Sequence, residues 1–262
     1  MEAYIKAITY YLPSKKYTNE DINNEHPDWA IDKIMSKTGI KNRYISANDE
    51  FVSDMAIAVS RKLFKEFSIL PNTIDFILLC TQSPDYILPT TACIIQDKLG
   101  VPKSAGALDF NLGCSGYVYG LALAKGLICA GIAKNILFIT SETYSKHISP
   151  NDKSNKTIFG DGASATLISN FGFAKIMDFS LGTDGSGASN LIVKDGGSRF
   201  PRKNENQSND NISSFLYMNG PEIFTFTSNS VPKLIEDTLF KNNLLTEDID
   251  LFIFHQANKF IR

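Results

Sequence analysis

Two distant stretches of this chain spell out the same order of elements. Arg61-Lys62-Leu63-Phe64-Lys65 leads through Ile69-Leu70 to the apolar run Ile74-Asp75-Phe76-Ile77-Leu78-Leu79-Cys80. Asp237-Thr238-Leu239-Phe240-Lys241 leads through Leu244-Leu245 to Ile249-Asp250-Leu251-Phe252-Ile253-Phe254-His255. Each predicts an amphipathic helix, a short loop and then an apolar strand. Strands that are apolar throughout belong to a sheet covered by helices on both faces. A repeat of this kind implies an α/β protein made of two similar halves. The first half is expected over residues 1–170. The second is expected over 171–262, with a polar insertion at 194–214. After the first copy's strand the chain runs on to Asn170, whereas after the second it stops at Arg262. The second half is therefore expected to be incomplete, and the natural protein to be longer or completed by a separate piece.

Other segments suit the same class. Residues 133–141 (Ala-Lys-Asn-Ile-Leu-Phe-Ile-Thr-Ser) predict a further buried strand. An apolar fraction of 43% is ample for a packed core, and a net charge of −2 favours neither nucleic acid nor a membrane surface. Four cysteines at spacings of 13, 21 and 15 match no metal pattern, so no metal is expected. No apolar run approaches the roughly 18 residues of a membrane span. No secretory signal opens the chain, and a cytoplasmic location is expected.

Chemistry enters at Cys114. The segment Leu108-Asp109-Phe110-Asn111-Leu112-Gly113-Cys114-Ser115-Gly116-Tyr117 reads as a strand, a small-residue turn and the start of a helix. Unpaired N–H groups at a helix N-terminus favour a thiolate, which is the nucleophilic form of cysteine. The competing reading is a buried cysteine acting as a small apolar residue. That reading is expected for Cys80, Cys93 and Cys129. His26 and His147 lie in polar stretches and are expected to be exposed. His255 ends an apolar strand, and open α/β sheets place their sites at the carboxyl ends of strands. It is a candidate donor to a substrate carbonyl or, alternatively, a core histidine satisfied by backbone. Phe159-Gly160-Asp161-Gly162-Ala163 is a glycine turn feeding a strand. Its structural reading is favoured over an anion-binding nest.

Together these motifs resemble the β-ketoacyl-acyl carrier protein synthase III family. The resemblance rests on Asn111 to Leu121 around the cysteine, Thr38-Gly39-Ile40, and Pro89-Thr90-Thr91-Ala92-Cys93-Ile94-Ile95-Gln96. It also rests on Phe159 to Ala163, Met218-Asn219-Gly220-Pro221-Glu222-Ile223-Phe224 and His255-Gln256-Ala257-Asn258, in this order. The resemblance implies the thiolase fold, two α/β halves forming an αβαβα sandwich, and so explains the repeat. It implies that Cys114 takes an acyl group from acyl-CoA. Malonyl-acyl carrier protein then loses CO2, and its enolate attacks the acyl-enzyme to give a 3-oxoacyl product that initiates fatty-acid synthesis. His255 is implied as a donor to the malonyl thioester carbonyl, and Asn258 as an orienting residue. Trp29 is implied at the CoA adenine, Lys37 and Lys156 near the CoA phosphates, and Leu88 at the acyl pocket of the partner in a homodimer. The CoA thioester is a substrate, and no cofactor is implied. The family's second asparagine and its glycine-rich C-terminal segment have no counterpart before Arg262.

Two alternatives stand beside this reading. One is a thiolase-fold acyltransferase of specialised metabolism or glycan modification. The other is a non-catalytic thiolase-fold partner subunit, against which Cys114 and His255 both speak.

Overall fold

The computed structural model describes residues 1–201 and 214–259. The elements that carry the argument are, in chain order, β1 (Tyr4–Tyr11), β2 (Lys15–Thr18), α1 (Asn19–Glu25), α2 (Ile31–Thr38), β3 (Asn42–Ile45), α3 (Val52–Glu66) and β4 (Phe76–Cys80). There follow α4 (Thr91–Leu99), β5 (Gly106–Phe110), α5 (Gly116–Cys129), β6 (Asn135–Glu142), α6 (Lys153–Lys156) and β7 (Gly162–Ser169). The last are β8 (Ala174–Lys175), β9 (Leu191–Ile192), β10 (Tyr217–Met218) and α7 (Gly220–Lys241). The chain divides into two compact units, each assembled from separate segments. One comprises 1–16, 44–144 and 160–177, and the other 17–43, 145–159 and 178–262.

The first unit is built on a six-stranded mixed sheet in the order β5-β4-β6-β7-β1-β8. β4 runs parallel to both β5 and β6, while β7 is antiparallel to β6 and β1. Strand alternation sends Ile77 and Leu79 to one face and Leu78 to the other, and all three are fully buried. On the first face α3 and α4 pack Val52, Met55, Ala56, Val59, Leu63, Ala92 and Ile95 against Leu137, Ile139, Ala165 and Leu167. α5 packs against β4, β6 and β7. Its buried residues recur every fourth position, at Gly116, Gly120, Ala124 and Ile128. Helices therefore cover both faces, as the apolar runs require.

The closest approach in this layer is at Gly120. A Cβ there would lie 2.0 Å from Cζ of Phe138, whose ring stacks on Tyr117 at 5.4 Å. Gly120→Ala is expected to overpack this contact and destabilise the protein by about 1–3 kcal/mol. A urea titration would show it as a lower midpoint, and an unchanged midpoint would mean that Phe138 yields freely.

The repeat is visible bond by bond. Two residues past the ends of α3 and α7 stand residues with φ of 53°, Ser68 in one copy and Asn243 in the other. Ile69 N donates to Phe64 O at 2.9 Å, and Leu244 N to Leu239 O at 3.0 Å. The following turns match as well. Thr73 N donates to Leu70 O at 3.0 Å and Ile74 N to Pro71 O at 3.2 Å. In the second copy Asp248 N donates to Leu245 O at 3.1 Å and Ile249 N to Thr246 O at 3.2 Å. Two helix exits and two loops are thus closed by the same hydrogen bonds.

Beyond that point the copies differ, and the expected second strand is corrected. β4 lies between two neighbours in its sheet, but Leu251–Phe254 has no ladder partner among the described residues. Leu251 is 72% and Ile253 83% exposed. A strand is made by hydrogen bonds to a neighbouring strand, and apolar sequence alone does not supply one.

In the second unit a capping box starts α1. Asp21 N donates to Thr18 Oγ1 at 3.1 Å, and Thr18 N donates to the Asp21 carboxylate at 2.7 Å. The buried Arg43 guanidinium donates to Asn19 and to the Thr157 carbonyl, and burial pulls it down to about 10. α2 stops at Gly39, whose φ of 71° suits a residue without Cβ. β9 and β10 pair on either side of the predicted polar insertion 194–214, and within it Gly197 bridges to Phe200. The rest of that insertion, 202–213, lies outside the described residues.

Candidate active site

Cys114 sits in the elbow between β5 and α5. Gly116 N donates to Gly113 O at 2.8 Å and closes the turn. Two glycines make the close approach possible. A Cβ at Gly113 would lie 2.8 Å from Gln82 Oε1, and one at Gly116 would lie 2.3 Å from Cys80 Sγ. Cys80 donates its thiol to Leu112 O at 3.1 Å, and burial pushes it up to about 12, so it is an inert packing residue. Cys93 and Cys129 are exposed, contrary to expectation. Each sits off the buried face of its helix. α4 buries Thr91, Ala92, Ile95 and Leu99, and α5 buries the four residues spaced as above.

Cys114 itself is exposed. Its ionisation also differs from expectation. Desolvation by the surrounding protein raises the thiol above its ordinary value, and its own backbone N–H recovers only part of this. Cys114 lies one residue before the N-cap, Ser115, at the foot of α5. The resting group is a thiol, and its proton must leave as the sulfur attacks. Alkylation of Cys114 by iodoacetamide is therefore expected to keep accelerating beyond pH 9.0, the ordinary thiol value. A plateau well below pH 9.0 would contradict this.

The glycine turn proves structural. Asp161 is buried, accepts from Ser46 N and Ser46 Oγ at 2.8 Å each, and donates its own N–H to Tyr44 O at 2.7 Å. The Asp161 N–H, which a nest would offer to an anion, is already bonded within the fold. Leu88, in the loop between β4 and α4, is 79% exposed.

The second unit carries the remaining candidates. His255 is exposed as a residue, yet burial of its ring lowers the imidazole below 6.5, so it is neutral at pH 7. A neutral ring donates from one nitrogen and accepts on the other. Asn258 lies three residues on. The next residue, Lys259, donates its N–H to Thr38 O at 2.9 Å, and a Cβ on Gly39 would approach Lys259 Cβ to 3.0 Å. The Thr38-Gly39 turn thus meets Lys259, the residue that follows the histidine motif, 221 positions beyond Thr38.

Trp29 lies half-buried ahead of α2, and its carbonyl accepts from Asn23 Nδ2 at 2.8 Å. Lys37 is exposed in the last turn of α2. Lys156 pairs with Glu25 at 2.7 Å, so its charge is already engaged. His26 and His147 are half-buried, not exposed as expected. His26 caps α1 through its N–H to Ile22 O, and the His147 carbonyl accepts from Leu216 N at 2.7 Å.

Gln82 and Glu142 were missed by sequence reasoning. Gln82 lies two residues past the end of β4, and Glu142 is the last residue of β6. Both are polar residues at the carboxyl ends of apolar strands, the same signal that pointed to His255.

Among the described residues, no helix is long and apolar enough to cross a membrane. Comparison with known proteins agrees with this geometry. The family model of 3-oxoacyl-[acyl-carrier-protein] synthase III matches residues 108–185, which hold the Cys114 elbow and the glycine turn. A β-ketoacyl-[acyl-carrier-protein] synthase III of Clostridium perfringens is 39% identical over 95% of this chain and 75% of its own length. That of Fusobacterium nucleatum is 36% identical over 97% of this chain and 76% of its own. A crystal structure of a 3-oxoacyl-(acyl-carrier-protein) synthase III superposes on the whole chain with a TM-score of 0.94 at 45% identity, covering 80% of that chain. The architecture is the thiolase fold, and by sequence and structure alike this chain belongs to the β-ketoacyl-acyl carrier protein synthase III family of condensing enzymes.

Proposed function

We propose that this protein catalyses the decarboxylative condensation of an acyl-CoA starter with malonyl-acyl carrier protein. The observation that carries this reading is the exposed Cys114 at the β5–α5 elbow, within the segment matched by the family model. In the first step the sulfur attacks the thioester carbonyl, the C–S bond to CoA breaks, and the cysteine proton goes to the CoA thiol. In the second step malonyl-acyl carrier protein loses CO2, and the electron pair of that bond becomes an enolate. The enolate carbon attacks the acyl-enzyme, and Cys114 leaves with a proton taken up from solvent. The neutral imidazole of His255 donates to the malonyl thioester oxygen as charge grows there. Asn258 orients that region. Trp29 and Lys37 contact the CoA nucleotide, while Lys156 reaches it only by sharing its charge with Glu25. The thioester leaving group and CO2 loss supply the driving chemistry, so the reaction calls for no cofactor. CoA thioesters place the protein in the cytoplasm. The halves 1–170 and 171–262 are the two products of an ancestral duplication.

The same reading makes the protein a homodimer. β5 is the outermost strand of its sheet, so one edge has no strand partner among the described residues. Open edges are templates for pairing with another chain. Leu108 of β5 is exposed, as are Ile87 (91%) and Leu88 in the loop before α4, which suits burial against a second copy. Light scattering after gel filtration is expected to give twice the 29.0 kDa chain mass. A value of 29.0 kDa would remove the dimer from the proposal.

Incubation with acetyl-CoA and longer acyl-CoAs, followed by intact and peptide masses, tests the function. An acyl adduct on the Cys114 peptide is expected, and the preferred chain names the starter. Absence of any adduct across the panel would overturn the reading.

A further inference from the structure

Resting on the acyl-transfer reading of Cys114, we propose that Glu142 is a positioning residue that holds the Cys114 elbow through Gln82. The register of the sheet creates the contact. Cys80, the last residue of β4, pairs with Thr140, so β6 extends two residues further and brings Glu142 level with Gln82. Both carboxylate oxygens are used there. Gln82 N donates to Oε1 at 2.6 Å, and Ser83 Oγ donates to Oε2 at 2.8 Å. A partly buried carboxyl group that accepts two hydrogen bonds is a firm anchor for a turn that otherwise leaves the sheet.

The turn then reaches the nucleophile. Thr81 N donates to Phe110 O at 3.2 Å, which extends the β4–β5 register past its last pair. Gln82 Nε2 donates to Asn111 Oδ1 at 3.1 Å, and Gln82 Oε1 rests against Gly113 where a Cβ would be. Asn111 and Gly113 are the elbow residues just before Cys114. The path from Glu142 to the sulfur is therefore a backbone anchor, one side chain and two elbow contacts. Acyl transfer depends on the angle at which sulfur meets the thioester, and a misplacement of about 1 Å can cost about 100-fold in rate.

The carboxyl group is also tuned. Burial is the main cause that pushes Glu142 up to about 7, and the Asp161 carboxylate adds to it, while the Ser83 and Gln82 bonds oppose it. Tyr144, next along the chain but one, is pushed up to about 12 by burial, then by Glu142 and Cys114, and stays neutral. A carboxyl group raised on folding binds more protons in the native state. Its contribution to stability is present below pH 4.5 and is lost as pH rises to about 7. In Glu142→Gln that fall between pH 4.5 and 7 is expected to shrink.

The test reads Cys114 in two ways, by single-turnover acylation with the best acyl-CoA and by alkylation with iodoacetamide. Glu142→Ala and Gln82→Ala are each expected to slow acylation about 10- to 100-fold, with KM for acyl-CoA nearly unchanged. The double variant is expected to be no slower than the worse single, because the two act in one chain. Glu142→Gln keeps an oxygen for Gln82 N–H and is expected to restore most of the rate. Gln82→Ala leaves the backbone anchor intact, so it serves if Glu142→Ala does not fold. Wild-type rates in folded Gln82→Ala, or multiplicative losses in the double variant, would overturn the proposal. Failure of wild-type acylation would instead overturn the functional reading. Altered alkylation of Cys114 in the variants would still report the positioning.

Discussion

Replacing Cys114 with alanine is expected to remove acyl transfer, with turnover falling by about 10⁴-fold or more. No other thiol can take over. Cys80 is buried and held at about 12, Cys93 belongs to α4, and Cys129 stands at the end of α5 opposite the elbow. The alanine also fits the space, because Cys114 is exposed and the elbow is closed by the Gly116–Gly113 bond, not by the sulfur. The variant is thus expected to fold like the parent, and its loss of activity reads chemistry alone. Single-turnover assays with labelled acyl-CoA and intact masses check it. A retained adduct on the variant would place the nucleophile elsewhere.

Replacing His255 with alanine is expected to separate the two steps. The acyl adduct on Cys114 should still form at close to the parent rate, while condensation falls by about 10²–10³-fold, the usual loss for one oxyanion donor. The neutral ring is what makes this a hydrogen-bond effect. Burial holds the imidazole below 6.5, so its charge is the same at pH 7 and pH 8 and the deficit should be constant across that range. Condensation is followed by release of CO2 and acylation by mass. Equal losses in both steps would show that His255 serves acyl transfer instead.

Much of the frame was readable from local patterns. The apolar runs through Ile77-Leu78-Leu79 and Ile136 to Ile139 identified strands buried on both faces, because each residue of such a run must be covered. The duplicated helix-loop-strand signal held through its loop, down to the left-handed residues Ser68 and Asn243. It failed at Leu251–Phe254 because strand formation is a property of pairs, and one segment's sequence carries no information on its neighbour. The cysteine elbow was legible because glycines at 113 and 116 mark a turn that only small residues can make. The ionisation of Cys114 departs from expectation for a different reason: desolvation depends on what packs around the thiol, which no short segment displays.

The sequence by itself determined the α/β class and the order of the repeated elements, and it displayed the cysteine and histidine motifs. These depend on residue type and on spacings of a few positions, which a linear chain displays. Only the tertiary structure decided which polar groups meet. Register between β4 and β6 brought Glu142 to Gln82, residues 60 apart. Packing within each unit closed Asp161 onto Ser46, 115 apart. It also paired Lys156 with Glu25 and seated Lys259 on the Thr38-Gly39 turn. Contacts over such separations are set by how strands align and helices pack, and neither is written in any short stretch of the chain.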